Sequence, residues 1–124
     1  MSLVRIGQIV FGVPLFVFGV MHFLAGGDMA GMVPGWLPGA LFWVYLTGLA
    51  LMAAAVALFL GRYVFPAGVG LAVLVGSFVL TIHLPGMMDP ETAQMAMTNG
   101  LKDVAIVGAA LMAAGSVRFL APGA

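Results

Sequence analysis

The chain has 124 residues, of which 64% are hydrophobic and 6% charged, with four basic and four acidic side chains and no cysteine. So few charges exclude a soluble globule, because about a quarter of an average soluble chain is charged and the apolar surface left uncovered here would aggregate. A mean hydropathy of +1.23 makes lipid the expected solvent; the lack of cysteine removes disulfide, thiolate-metal, iron–sulfur and cysteine-nucleophile chemistry, and the balanced charge leaves no footprint for nucleic acid.

A charge near the bilayer centre is costly unless paired or hydrated, so charges mark helix ends. Arg5, Asp28, Arg62, Asp89, Glu91, Lys102, Asp103 and Arg118 leave room for four spans of roughly 20 residues, the length that crosses about 30 Å of hydrocarbon. The first is expected near 4–25, with Gly12 and Gly19 as close-packing positions and Pro14 as a kink. A cleaved signal peptide is the competing reading of this stretch, but the stretch is long, contains Pro14 and lacks a small-x-small cleavage site. A loop from Gly26 to Pro38 leads to the second span near 37–60, and the minimal turn Gly61-Arg62 makes spans two and three antiparallel neighbours. The third span lies near 63–84, with Gly68, Ala72 and Gly76 available for packing.

Beyond it, Asp89-Pro90-Glu91 reads as N-cap, N1 proline and first-turn acid. That predicts a short interfacial helix near 90–97 carrying Met95 and Met97, which Asn99-Gly100 stops. The fourth span is expected near 101–121. Its charge-free stretch is short, so it crosses with Lys102 and Arg118 reaching toward opposite headgroup layers; a helix that dips in and returns is the alternative. Gly108, Ala109, Ala113 and Gly115 supply its packing seam.

The expected fold is therefore a single all-α transmembrane domain over residues 1–124, an integral membrane four-helix bundle. Arg5, Arg62 and Arg118 fall at one end without an acid among them, while Asp28, Asp89, Glu91 and Asp103 share the other with Lys102. Basic residues in short loops favour the cytoplasm, so both termini are expected inside. With charge-free helix centres, the chain lacks the intramembrane charges and repeated discontinuous helices typical of transporters and channels.

Two groups of side chains carry chemical content, both at the acid-bearing end. His22 and His83 are expected at similar depth, where imidazoles can hydrogen-bond a quinone carbonyl, relay a proton, ligate haem or bind a soft metal. Lys102 and Asp103 open the fourth span on the same side, and Trp36 and Tyr45 are the aromatic candidates for the same ligand site. The plainer alternative is a histidine bonded to a nearby carbonyl and aromatics serving as interface and core residues. Methionine is the second group: Met29, Met32, Met87, Met88, Met95 and Met97 crowd this end. Thioethers with histidine suit Cu(I), whereas the simpler reading is flexible apolar filling.

The run Gly19-Val20-Met21-His22-Phe23, then Val33-Pro34-Gly35-Trp36-Leu37-Pro38, then Tyr45-Leu46-Thr47-Gly48 resembles the G-x-x-H-F, P-x-x-L-P and (S/T)-G pattern of the DoxX-like family of small four-helix bacterial membrane proteins. Leu49, Ala50 and Leu51 stand where members often carry a Glu, and Leu84-Pro85-Gly86 where they often have Pro-Ala-Asn. The resemblance implies a multi-pass protein of the bacterial cytoplasmic (inner) membrane, an accessory subunit of a quinone-linked redox assembly, with another redox subunit or a second copy as partner. His22 and the Pro34–Pro38 loop are the matching positions, while His83, Lys102 and Asp103 are added from topology. Copper handling by the Met/His cluster, a purely structural membrane partner, and a haem held by both histidines are the other readings.

Overall fold

The first helix starts where Ser2 caps it, its hydroxyl accepting from the Arg5 N–H at 3.1 Å. In the computed structural model, which describes residues 1–120 with side chains to residue 117, no strand occurs among the described residues. The elements are α1 (Leu3–Leu24), α2 (Gly26–Ala30), α3 (Ala40–Leu60), α4 (Val64–Phe78), a π-helical turn (Val79–His83), α5 (Leu84–Gly86) and α6 (Ala93–Leu120). The stretch Val64–Gly86 is one continuous span, and with Leu3–Leu24, Ala40–Leu60 and Ala93–Val117 it makes four helices long and apolar enough to cross a membrane. The protein is an all-α, multi-pass membrane bundle.

Two differences from the expected elements have clear causes. Asn99-Gly100 does not end a short interfacial helix: α6 runs through it without a break, and residues 93–97 of the segment expected near 90–97 form its first turn. Gly100 is buried against the end of the third span, where an added Cβ would lie 2.9 Å from Met87 Cε and 3.3 Å from the His83 Cβ of the π turn, so this glycine serves close approach rather than termination. Asp89 likewise caps no helix at Pro90. Its carboxylate accepts from the Glu91 N–H at 3.0 Å, a local turn that delays the helix to Ala93. At 1.5 Å per residue α6 is about 42 Å long, longer than the hydrocarbon core. The side chain of Arg118, expected to reach the far headgroup layer, lies outside the described ones.

The second difference is in pairing. Spans two and three, joined by the shortest turn, pack weakly on each other; α1 instead lies along α3, and α4 along α6. Backbone approach decides this. A Cβ on Gly48 would sit 2.9 Å from the Gly19 carbonyl oxygen, and a Cβ on Gly68 would sit 2.5 Å from that of Ala110. Ala110 and Ala114, both buried, form the α6 side of that seam. Gly108 and Gly115, expected to share it, face open space because they project from other faces of the helix. Leu15, Leu51, Ala55, Leu58, Leu71 and Ala110 join the two pairs in one core.

The tight turn is built from two left-handed residues, Gly61 (φ 67°) and Tyr63 (φ 59°). The Arg62 N–H returns to Ala57 O at 3.1 Å, closing α3 in a Schellman arrangement. Arg5 then reaches across from α1, its Nη1 donating to Leu58 O at 2.7 Å and its Nη2 to Phe59 O at 2.6 Å. Gln8, buried, steadies the guanidinium by accepting from Nη1 at 2.8 Å. A cation on the negative end of a helix dipole is favourable, and charge-assisted bonds are stronger than neutral ones. We expect Arg5→Ala to destabilise the bundle by about 1–2 kcal/mol, with Arg5→Lys recovering part of it. Denaturant unfolding in detergent, followed by tryptophan fluorescence, measures both.

Candidate functional site

The α1/α3 and α4/α6 pairs enclose a cavity of about 650 Å³ at the end bearing the two long loops. Every span and the loop after α2 contribute to its wall. From α1 come Phe18 and His22; from α3, Trp43 and Thr47; from the π turn, His83; from α6, Lys102 and Asp103.

His83 reaches the cavity through a local rearrangement of its helix. Pro85 lacks an N–H, and its ring crowds the carbonyl of Thr81, four residues earlier. A π-helical turn at Val79–His83 widens the spiral there, and such single-turn insertions re-aim side chains. The Thr81 hydroxyl donates back to Ser77 O at 2.7 Å, satisfying a polar side chain inside the span. His83 then faces Asp103 across the helix pair, Nε2 donating to Oδ2 at 2.7 Å with both residues buried.

A carboxylate in this apolar setting needs compensation, because burying a lone charge costs several kcal/mol. Two neighbours supply it. His83 binds one oxygen, and Lys102 Nζ lies 3.7 Å from the other. The same ammonium sits 4.9 Å from the Phe18 ring centroid, a cation–π contact tying α6 to α1. Lysine and aspartate cancel, so with neutral histidines the cluster carries no net charge.

His22 approaches from the opposite wall. Its Nδ1–H donates to the Phe18 carbonyl at 2.6 Å, because a carbonyl can only accept. In the neutral ring Nε2 is therefore the acceptor, and it has no hydrogen-bond partner among the described residues. The same reasoning makes His83 Nδ1 the acceptor of its ring, since Nε2–H is committed to Asp103. The cluster thus combines two imidazole acceptors with an ammonium donor against apolar walls.

Of the six ligand-site residues expected from sequence, five line this cavity: His22, His83, Trp36, Lys102 and Asp103. Tyr45 does not. It stacks on Phe23 with ring centroids 5.4 Å apart and 8° between planes, and its ring sits against Gly26. Helical spacing is the reason: Trp43, Thr47 and Leu51 share the inner face, four residues apart, and Tyr45 projects from another. The methionines divide as well. Met29 and Met32 line the cavity; Met87, Met88, Met95 and Met97 do not, and the last three are exposed. Among the described residues there is no group of three or more His, Cys, Asp or Glu that could hold a metal ion.

Sequence reasoning passed over Phe18, Thr47, Ser77, Thr81 and Asn99, which also line the cavity. Four of these are polar residues within or beside spans, which in a membrane is itself a signal. Trp43 lines the cavity as well, and its indole N–H donates to Pro38 O at 2.8 Å, anchoring the loop beside it.

No curated protein and no solved structure matches the chain. One family model does, over residues 11–99, a range that contains both histidines and ends just before Lys102 and Asp103. The chain belongs to the family described as Domain of unknown function (DUF8561).

Proposed function

We propose that this is a DoxX-like protein of the bacterial inner membrane that holds a quinone-type redox carrier in its intramembrane cavity, as an accessory subunit of a membrane redox assembly. The observation that carries this reading is the convergence of His22, His83, Lys102 and Asp103 on one largely apolar cavity. A quinone head is uncharged and rimmed by oxygens, and it matches a cluster of zero net charge that offers both donors and acceptors. In its reduced form it presents hydroxyls, which the free nitrogens of His22 and His83 can accept from; in its oxidised form it presents carbonyls, which Lys102 can donate to. When bound, such a carrier supplies two-electron chemistry; the protein's part is to position the head and handle its protons. Arg5 and Arg62 at the tight-turn end support cytoplasmic termini, with the cavity toward the outer leaflet. Another redox subunit or a second copy completes the assembly in this reading.

The test uses a native reporter, since Trp36 and Trp43 both line the cavity. In lipid nanodiscs, a decyl-tailed benzoquinone is expected to quench their fluorescence saturably. A His22→Ala/His83→Ala variant with unchanged helicity should bind at least tenfold more weakly. Linear, non-saturating quenching that is the same in both proteins would mean simple partitioning and would sink the proposal.

Copper is the second reading, kept because Met29 and Met32 share the cavity with His22. It predicts Cu(I) retention on dialysis that falls in a Met29→Leu/Met32→Leu variant and is insensitive to the quinone.

A further inference from the structure

The weak packing between α3 and α4 leaves an open groove of about 700 Å³ on the outside of the bundle. Small residues floor it: Ala50, Ala53 and Ala57 from α3, and Gly70 from α4. Its lining includes Trp43, Thr47 and Leu74, and these three residues also belong to the wall of the polar cavity. The two spaces therefore meet at a shared partition. From Thr47 to Ala57 the groove follows α3 for about 15 Å, at 1.5 Å per residue, away from the histidines and toward the tight turn.

We infer that this groove holds the apolar tail of the same ligand whose head sits between His22 and His83, and is its lateral way in from the bilayer. This rests on the quinone-type reading of the cavity and narrows it to carriers with a long tail. The direction fits an amphiphile. A head near one headgroup layer must send its tail toward the hydrocarbon centre, and the groove leads there from the cavity partition. Thr47, Arg62 and Tyr63 are polar points on an otherwise almost wholly apolar lining, with Arg62 and Tyr63 at the far, tight-turn end. A wall of alanine and glycine leaves room for a chain to lie against the helix backbones, as a bulky lining would not.

The experiment compares two probes in phosphatidylcholine nanodiscs: the decyl-tailed benzoquinone and the same head without its tail, each on a membrane mole-fraction scale. Ala53→Trp fills the groove from an exposed position without touching the head cluster. Leu49→Trp places the same side chain at an exposed site outside both cavities. Expected is at least a fivefold loss of decyl-quinone affinity in Ala53→Trp, no change for the tail-less head, and no change for either probe in Leu49→Trp. Equal sensitivity of both probes to Ala53→Trp, or of neither, overturns the tail groove while leaving the head site standing. A wild-type protein that saturates with neither probe overturns the quinone reading, and this inference with it. Competition by added phosphatidylglycerol that disappears in Arg62→Ala would give the groove to an anionic phospholipid and overturn the inference as well.

Discussion

Asp103→Ala is expected to destabilise the bundle by about 2–3 kcal/mol, the range for stranding buried hydrogen-bonded and charged partners, and to abolish saturable quinone quenching. The substitution removes the acceptor for His83 Nε2–H and the counter-charge of Lys102 at once. His83 loses the bond that fixes its ring, and Lys102 becomes an unpaired cation at the cavity wall. Asp103→Asn should be much milder, within about 1 kcal/mol, because its amide oxygen can still accept from Nε2–H and a single neutral bond within a membrane bundle is worth about that much. Reversible unfolding in bicelles measures the stability, and the nanodisc titration measures the site. A double-mutant cycle with His83→Ala separates the pair from its surroundings, with a coupling of at least about 0.5 kcal/mol expected for residues in direct contact. Additive losses would show that the 2.7 Å bond contributes nothing of its own.

The second large effect lies at the tightest backbone approach between α4 and α6. Gly68→Val is expected to cost about 2–3 kcal/mol, at the upper end of what overpacking a close-packed interface does. The first added carbon would fall 2.5 Å from Ala110 O and 2.9 Å from the Ala114 Cβ. Neither neighbour is a flexible side chain, so relief requires the helices to separate. Gly108→Val is the matched control. It places the same group where nothing lies within 4 Å, so its effect should stay within about 0.5 kcal/mol. Steric trapping or denaturant unfolding of both variants compares them directly, and equal stabilities would contradict the packing described here. The same logic applied to Gly48 moves function rather than stability alone, because a Cβ there would meet the His22 Cβ at 2.7 Å and displace a cavity wall.

The spans themselves were legible from the spacing of eight charges, and their bounds moved by only a few residues at most ends. The largest shift is at Asn99-Gly100. Local chemistry argued for a stop, but the glycine is spent on contact with His83, and helix continuity prevailed over a turn signal. Along α6 composition alone could not tell Ala110 and Ala114 from Gly108 and Gly115, since small residues cover every face of that helix. Which face meets α4 depends on helix rotation, and rotation is set by the partner's surface.

For the site, sequence position and topology were enough to place His22, His83, Lys102 and Asp103 at one end of the bundle. They could not show that the chain's shortest connection joins two spans that pack only weakly on each other, which leaves the groove between them. Hydropathy and charge by themselves determined the number of spans, their order and the end at which polar chemistry gathers, because the transfer cost of each residue into lipid is a property of that residue alone. Tertiary structure decided which faces meet: that His83, re-aimed by a π turn ahead of Pro85, reaches Asp103 while Tyr45 turns away. Those outcomes depend on close backbone approach between helices far apart in the chain, a joint property of two surfaces that no single stretch of sequence carries.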